Sequence, residues 1–236
     1  MPKSSKISFV GSRGGGIGRR SGLKIRRSNP CGFESHSRHQ LESHMPWFII
    51  LLGYLLGSVP TAYIAGHLLK GRDIRQMGDG NMGAANAFHQ LGAKVGIVVF
   101  LADAGKGALA ILIAQVASLP VVAILFTGLA AVIGHNWPVF IGFRGGRGES
   151  TTIGVLLTLI TEPMLILAGP ALATLVIKKN VSLASCVLFI PLPLVCWWLE
   201  IPGLLTSYSI ALPCLVGATT FIRTRRLAQT SGTGSA

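Results

Sequence analysis

Residues 72–86 read RDIRQMGDGNMGAAN, and Gly78, Gly80 and Gly83 within them spell G-x-G-x-x-G. In a soluble α/β protein this is the dinucleotide fingerprint, in which a strand leads into the glycines and a helix leaves them. The flanking residues decide between two fold classes. Upstream, residues 47–69 form an apolar run that gives way to Lys70 and Arg72. Downstream, the acid that a dinucleotide site needs about 20 residues on would be Asp103. It lies inside a second apolar run, three residues before Lys106. Those flanks describe a short basic loop between membrane helices rather than a βαβ unit.

The composition agrees. Half of the 236 residues are hydrophobic and 12% are charged, with a mean hydropathy of +0.59. Soluble domains are about a quarter charged, so this deficit points to several segments in lipid. Further apolar runs cover 95–117, 119–143, 182–199 and 203–222. A split run over 152–177 is interrupted at Thr161-Glu162-Pro163. Proline removes a helix donor and disfavours helix before it. That run therefore reads as two short segments, either thin spans or a re-entrant hairpin. The expected fold is an all-α integral membrane protein of about seven transmembrane segments, two of them short.

The charges orient it. Lys70, Arg72, Arg75, Lys94, Arg144, Arg147, Lys178, Lys179, Arg223, Arg225 and Arg226 all fall in alternate connections or at the end of the chain. The opposite connections, near Ser118, Glu162 and Glu200, hold no Lys or Arg. Seven segments with the N-terminus outside place every one of these cations on one face, and the positive-inside rule makes it cytoplasmic. Residues 1–44 are different material, with nine Lys/Arg against two acids and no secretory h-region. They read either as a basic arm for anionic lipid or nucleic acid or as a disordered extension outside the working protein. The second is expected, because Met45 opens the apolar run directly and the basic arm opposes the orientation. The working domain is then 45–228, followed by a disordered tail over 229–236.

Two loops on the cationic face combine glycine with positive charge: KGRDIRQMGDGNMGAANAFHQLG and GHNWPVFIGFRGGRGEST. Glycine-rich turns present concave backbone amides to anions, and arginine adds a planar fork that fits phosphate. Together they suggest a site for a phosphate-bearing ligand at the lipid boundary. Other roles stay open. Loop glycines also serve close helix packing, Arg144 and Arg147 also serve as membrane anchors, His135 as an interfacial histidine, and Asn81 and Asn86 as caps. Asp103 and Lys106 lie within a span, where a charge is costly unless paired. They form a structural ion pair or present the lysine to a site. Cys31, Cys186, Cys196 and Cys214 lack metal-ligand spacing and read as plain thiols. Without a nucleophilic triad or metal cluster, chemistry here relies on positioning and charge stabilisation.

These residues resemble a known family. The stretch from GYLLGSVPTAYIAGHLLKGRDIRQMGDGNMGAAN to DAGKGALAILIA is similar to the first signature region of the bacterial acyl-phosphate:glycerol-3-phosphate acyltransferases of the PlsY type. GHNWPVFIGFRGGRGEST resembles their second region, and IKKNVSLAS a third segment. The resemblance implies a multi-pass enzyme of the bacterial plasma membrane with a cytoplasmic active face. It implies acyl transfer from acyl phosphate to the 1-hydroxyl of glycerol 3-phosphate, giving lysophosphatidate in phospholipid synthesis. It implies no cofactor, no metal and no nucleic-acid partner, with membrane lipid as the surroundings. Lys106, His135 and Ser182 become catalytic candidates. Asn81, Gly83, Asn86, Arg144, Gly145, Gly146, Arg147, Gly148 and Thr151 become candidates for binding substrate phosphate.

The chain departs from the family pattern at defined places. The family's G-S-G-N-x-G-A-T-N-V-x-R is GDGNMGAANAFH here, so Asp79 stands for a serine and His89 for an arginine. A carboxylate about 4 Å from a phosphate costs on the order of 4 kcal/mol at an effective dielectric of 20. His89 lacks arginine's bidentate grip. The family's H-x-x-N near the C-terminus is replaced by FIRTRR. These departures keep a second expectation in view: a catalytically degenerate paralogue that binds lipid phosphate or a membrane partner.

Overall fold

The structure, a computed structural model, describes the backbone of residues 32–232 and the side chains of residues 45–225. The basic extension expected up to residue 44 and the tail expected from 229 have side chains outside the described residues. Two compact units divide between His39 and Gln40, and every helix from α2 onward belongs to the second. The helices are α1 (Gly32–Gly57), α2 (Thr61–Lys70), α3 (Ala84–Leu91), α4 (Ala93–Val116), α5 (Val121–Asn136), α6 (Glu149–Leu159), α7 (Thr161–Lys178), α8 (Val181–Phe189), α9 (Leu192–Trp198) and α10 (Gly203–Gly232). Short 3-10 turns at Ile74–Gln76 and Val139–Ile141 lie in the two glycine-rich loops. Among the described residues there is no strand, so the dinucleotide fold is excluded.

Among the described residues, six stretches are long and apolar enough to cross a membrane: Met45–Lys70, Ala93–Val116, Val121–Ile141, Thr161–Lys178, Val181–Trp198 and Gly203–Arg225. The split run does break, at Ile160, one residue before the expected turn. Its halves are unequal. α6 has 11 residues, but α7 has 18 and is long enough to cross. Pro163 is tolerated because it falls in the first turn of α7, where backbone donors are unpaired anyway. Two other runs are less continuous than expected. The run over 47–69 is interrupted at Ser58–Pro60, and that over 182–199 between α8 and α9 at Ile190–Pro191. A proline opens the second half each time, and its ring disfavours helix in the residue before it.

Burial is sorted as expected of a protein in lipid. Leu68, Val116 and Trp197 expose 79%, 85% and 77% of their surface, while Ser58, Asp103, Thr127, Asn136, Thr151 and Thr152 expose none. An apolar cluster of Ile111, Val132, Val155, Leu156, Met164, Leu192 and Leu212 joins α4, α5, α6, α7, α9 and α10. The tightest seam is between α4 and α6. A Cβ at Gly154 would lie 1.9 Å from the Ala104 carbonyl oxygen, and one at Gly107 would lie 2.4 Å from the Thr151 carbonyl oxygen. Both glycines are there so that two backbones can touch, the small-residue packing that membrane helices use.

Candidate active site

The site begins with the break between α1 and α2. Ser58, Val59 and Pro60 are not helical, so the Val59 carbonyl is released from the helix ladder. Unpaired backbone at membrane depth is tolerated only where protein or a polar cavity satisfies it. Here the Thr61 N–H donates to the Val59 oxygen at 3.1 Å, and the Lys106 ammonium adds a second bond, Nζ donating at 2.9 Å. Just beyond the break, the Thr61 hydroxyl donates to Asp103 Oδ1 at 2.6 Å.

Asp103 is the hub. Its side chain is fully buried, and Oδ1 also meets Lys106 Nζ at 2.8 Å and His135 Nδ1 at 3.5 Å. The i,i+3 spacing on α4 puts Asp103 and Lys106 on one helix face, and α5 brings His135 to it at its C-terminal end. An ammonium carries three N–H groups. Two are engaged by Asp103 and Val59, which leaves the third for an oxygen of a ligand. Lys106 faces a small cleft lined by Ser58, Val59, Thr61, Met82, Asp103, His135 and Gly146, among others. Asp103 Oδ2 is buried and unpartnered among the described residues.

The glycines that opened the sequence question serve the loop itself. Gly78 and Gly80 adopt φ of +58° and +68°, a region that side chains disfavour. Gly83 is extended and opens α3. Asn86 is buried, and its amide nitrogen lies within hydrogen-bond distance of the carbonyls of Ile74, Met77 and Asn81, at 3.3, 3.0 and 2.9 Å. It therefore clamps the loop. Arg75 ties the same loop to the second one: it pairs with Asp73 at 2.7 Å and donates to the Ile141 carbonyl at 3.0 Å. Its guanidinium hydrogen bond holds the Asp73 carboxyl below the ordinary carboxylate range.

In the second loop, Gly145 N–H donates to the Asn136 carbonyl and Gly146 N–H to the His135 carbonyl, at 3.2 and 3.0 Å. These two amides cap α5 and are not available as an anion cradle, contrary to the expectation from their spacing. Gly146 also has to be a glycine: a Cβ there would lie 2.0 Å from His135 Nε2. Two residues of α10 hold this loop from behind. Arg223 donates to the Gly145 and Asn136 carbonyls, and Thr219 donates to the Arg147 carbonyl at 3.2 Å. Neither was singled out from sequence. The only signal for Arg223 was a cation at the end of an apolar run, which positive-inside anchoring already explained.

The remaining sequence-predicted residues fall into four groups. Lys106, His135 and Gly146 line the cleft. Arg147 crosses to Asp79 in the first loop, Nη2 to Oδ2 at 3.2 Å. Asn81 Oδ1 and Thr151 Oγ1 are buried without a partner among the described residues, and Gly148 turns the chain into α6 with φ of +86°. Arg144, His89 and Ser182 are exposed and line no part of the cleft. His89 meets the Phe88 ring edge-on. One turn beyond Ser182, the Ser185 hydroxyl donates to the Glu149 carboxylate and so ties α8 to the start of α6.

Comparison with known proteins bears on what the cleft is for. The family model described as "Glycerol-3-phosphate acyltransferase" matches residues 47–230. "Glycerol-3-phosphate acyltransferase 4" of Dehalococcoides mccartyi is 52% identical over 182 residues, which cover 77% of this chain and 98% of the relative. "Glycerol-3-phosphate acyltransferase 1" of the same organism is 40% identical over 71% of this chain and 84% of its own length. Among solved structures, the crystal structure of PlsY, an integral membrane glycerol 3-phosphate acyltransferase in its glycerol 3-phosphate form, superposes with a TM-score of 0.70 at 34% identity. That match covers 79% of this chain and 93% of PlsY. Matched over residues 47–230 by the family model and over most of its length by both relatives, and carrying the same helical membrane fold as PlsY, this chain belongs to the glycerol-3-phosphate acyltransferase family.

Proposed function

We propose that this protein transfers an acyl chain from acyl phosphate to the 1-hydroxyl of glycerol 3-phosphate, releasing inorganic phosphate and leaving lysophosphatidate. The observation that carries this reading is the Lys106 ammonium, oriented by Asp103 and the Val59 carbonyl toward a cleft among apolar helices. Both substrates bear phosphate, and the cleft lies between two loops that hold Arg75, Arg144 and Arg147. The glycerol hydroxyl attacks the acyl carbonyl, the C–O bond to phosphate breaks, and phosphate leaves with the bonding electrons and takes up the hydroxyl proton. Lys106 donates its remaining N–H to the developing negative charge, the preorganised stabilisation that usually contributes most in acyl transfer. His135 holds Asp103 and the Gly146 backbone in register and acts as a positioning residue. Arg147 neutralises substrate phosphate, with Asn81 and Thr151 as hydrogen-bonding groups.

The site lies at the cytoplasmic face of a bacterial plasma membrane. The one-sided distribution of loop Lys and Arg supports that placement. The test is the purified protein in detergent or lipidic mesophase, given palmitoyl phosphate and glycerol 3-phosphate. Lysophosphatidate and released phosphate in equal amounts are expected, and their absence at every pH would overturn the reading. Asp79 favours a second reading, because it already pairs with a cation proposed to hold phosphate. In a catalytically retired paralogue, activity would emerge only in Asp79→Ser/His89→Arg.

A further inference from the structure

Arg147 is only partly satisfied. Its Nη2 meets Asp79 Oδ2, while its Nε is buried with no partner among the described residues. A guanidinium edge of that kind donates side by side to two oxygens of one tetrahedral anion. Asp79 supplies one oxygen only, because Oδ1 is used at home: it accepts from the Asn81 N–H at 3.0 Å. The carboxylate is thus fixed to its own loop and leans across to the second with one oxygen. The pair is 46% exposed on the Asp79 side and 26% on the Arg147 side, so it is reachable from water. It is not what keeps the loops together, since Arg75 spans them separately through the Ile141 carbonyl.

We propose that Asp79 is a built-in competitor for the anion position on Arg147, and that a phosphate monoester binds there by displacing it. This rests on the proposed function only in naming the phosphate as a substrate's. Three features support displacement over shared binding. A phosphate and a carboxylate on one guanidinium repel each other. Phosphate offers the second oxygen that the Nε edge lacks. And the exposed side of the pair is the side on which an anion arrives. Asp79 thereby weakens phosphate affinity, in the acyl phosphate, in glycerol 3-phosphate or in the inorganic phosphate product.

The test uses the full-length protein in detergent, with inorganic phosphate as the probe and the rise in unfolding temperature with phosphate concentration as the readout. Asp79→Asn keeps the shape and removes the charge. Exposed ion pairs are weak, so apparent phosphate affinity should tighten about two- to five-fold. Asp79→Ser should do the same if the asparagine variant is poorly folded. In an Arg147→Gln background the same change should have no effect. Unchanged or weaker phosphate binding in both Asp79 variants overturns the proposal, as does a gain that survives Arg147→Gln. Substrate KM values then separate the sources. A fall for glycerol 3-phosphate alone assigns Arg147 to the acceptor, and a fall for palmitoyl phosphate alone to the donor. Tighter phosphate binding in a protein that never turns over would leave the competitor in place and remove the acyltransferase reading instead.

Discussion

Lys106 and Asp103 are 2.8 Å apart and almost wholly out of solvent. Removing one member of such a pair strands the other, which costs about 3–5 kcal/mol, whereas replacing both is far milder. Lys106→Met should therefore abolish turnover and lower the unfolding temperature, and Lys106→Met/Asp103→Leu should recover much of the stability but none of the activity. Thermal unfolding beside the phosphate-release assay checks both halves. The glycines of α4 give a sharper contrast. A Cβ at Gly105 meets nothing within 4 Å, while one at Gly107 meets the Thr151 carbonyl. Gly107→Ala should destabilise by about 1–3 kcal/mol through overpacking. Gly105→Ala should be neutral or gain up to about 1 kcal/mol from helix propensity. At this scale the sequence was readable where residue type alone limits the choices. A Lys and an Asp three apart in an apolar run had to be paired or functional. Asn86 and Gly145 were candidates for phosphate contact, but nothing in a sequence says which partner an amide finds, and the Asn86 amide nitrogen and the Gly145 N–H are engaged by the backbone around them.

The elements show a different limit. Hydrophobic runs located the membrane helices, but length and hydropathy average over short breaks. So the interruption at Ser58–Pro60 was absorbed into one span, although it delivers the Val59 carbonyl to the site. Pro60 was the available signal. Pro60→Ala should let α1 and α2 join, withdraw that carbonyl and cut kcat by at least about tenfold, the factor that goes with 1.4 kcal/mol. A purely structural role would lower expression and leave kcat alone. The end of α10 was read only as an anchor. Yet Arg223 donates to two carbonyls that support the second loop, whereas Arg225 stacks on Phe221 of its own helix. Arg223→Ala should raise the substrate KM several-fold, since charged hydrogen bonds contribute about 1.5–3 kcal/mol. Arg225→Ala should do so much less. Steady-state kinetics on the two variants separates a loop support from a general surface charge.

Across the described residues, large apolar side chains cover the outer surface as well as the core, unlike a protein built for water. This was the most legible property of all, because it follows from composition before any motif is considered. Membrane orientation is a property of the same scale. Cysteines introduced at Lys178 and at Glu200 should react with an impermeant thiol reagent from opposite sides of sealed vesicles, with position 178 on the cytoplasmic side. Labelling of both from one side would refute the topology. Cys186 and Cys214 are exposed and Cys196 is buried, so the native cysteines, Cys31 among them, are replaced by serine before labelling.

The bond from Lys106 to the Val59 carbonyl has a further consequence, about where the identity of this site is stored. The oxygen belongs to the main chain, so every amino acid at position 59 supplies the same acceptor. A saturation library at 59 should tolerate most residues, while libraries at 60 and 106 should tolerate almost none. A mutational map of the enzyme would then show a silent position in direct contact with its most sensitive one.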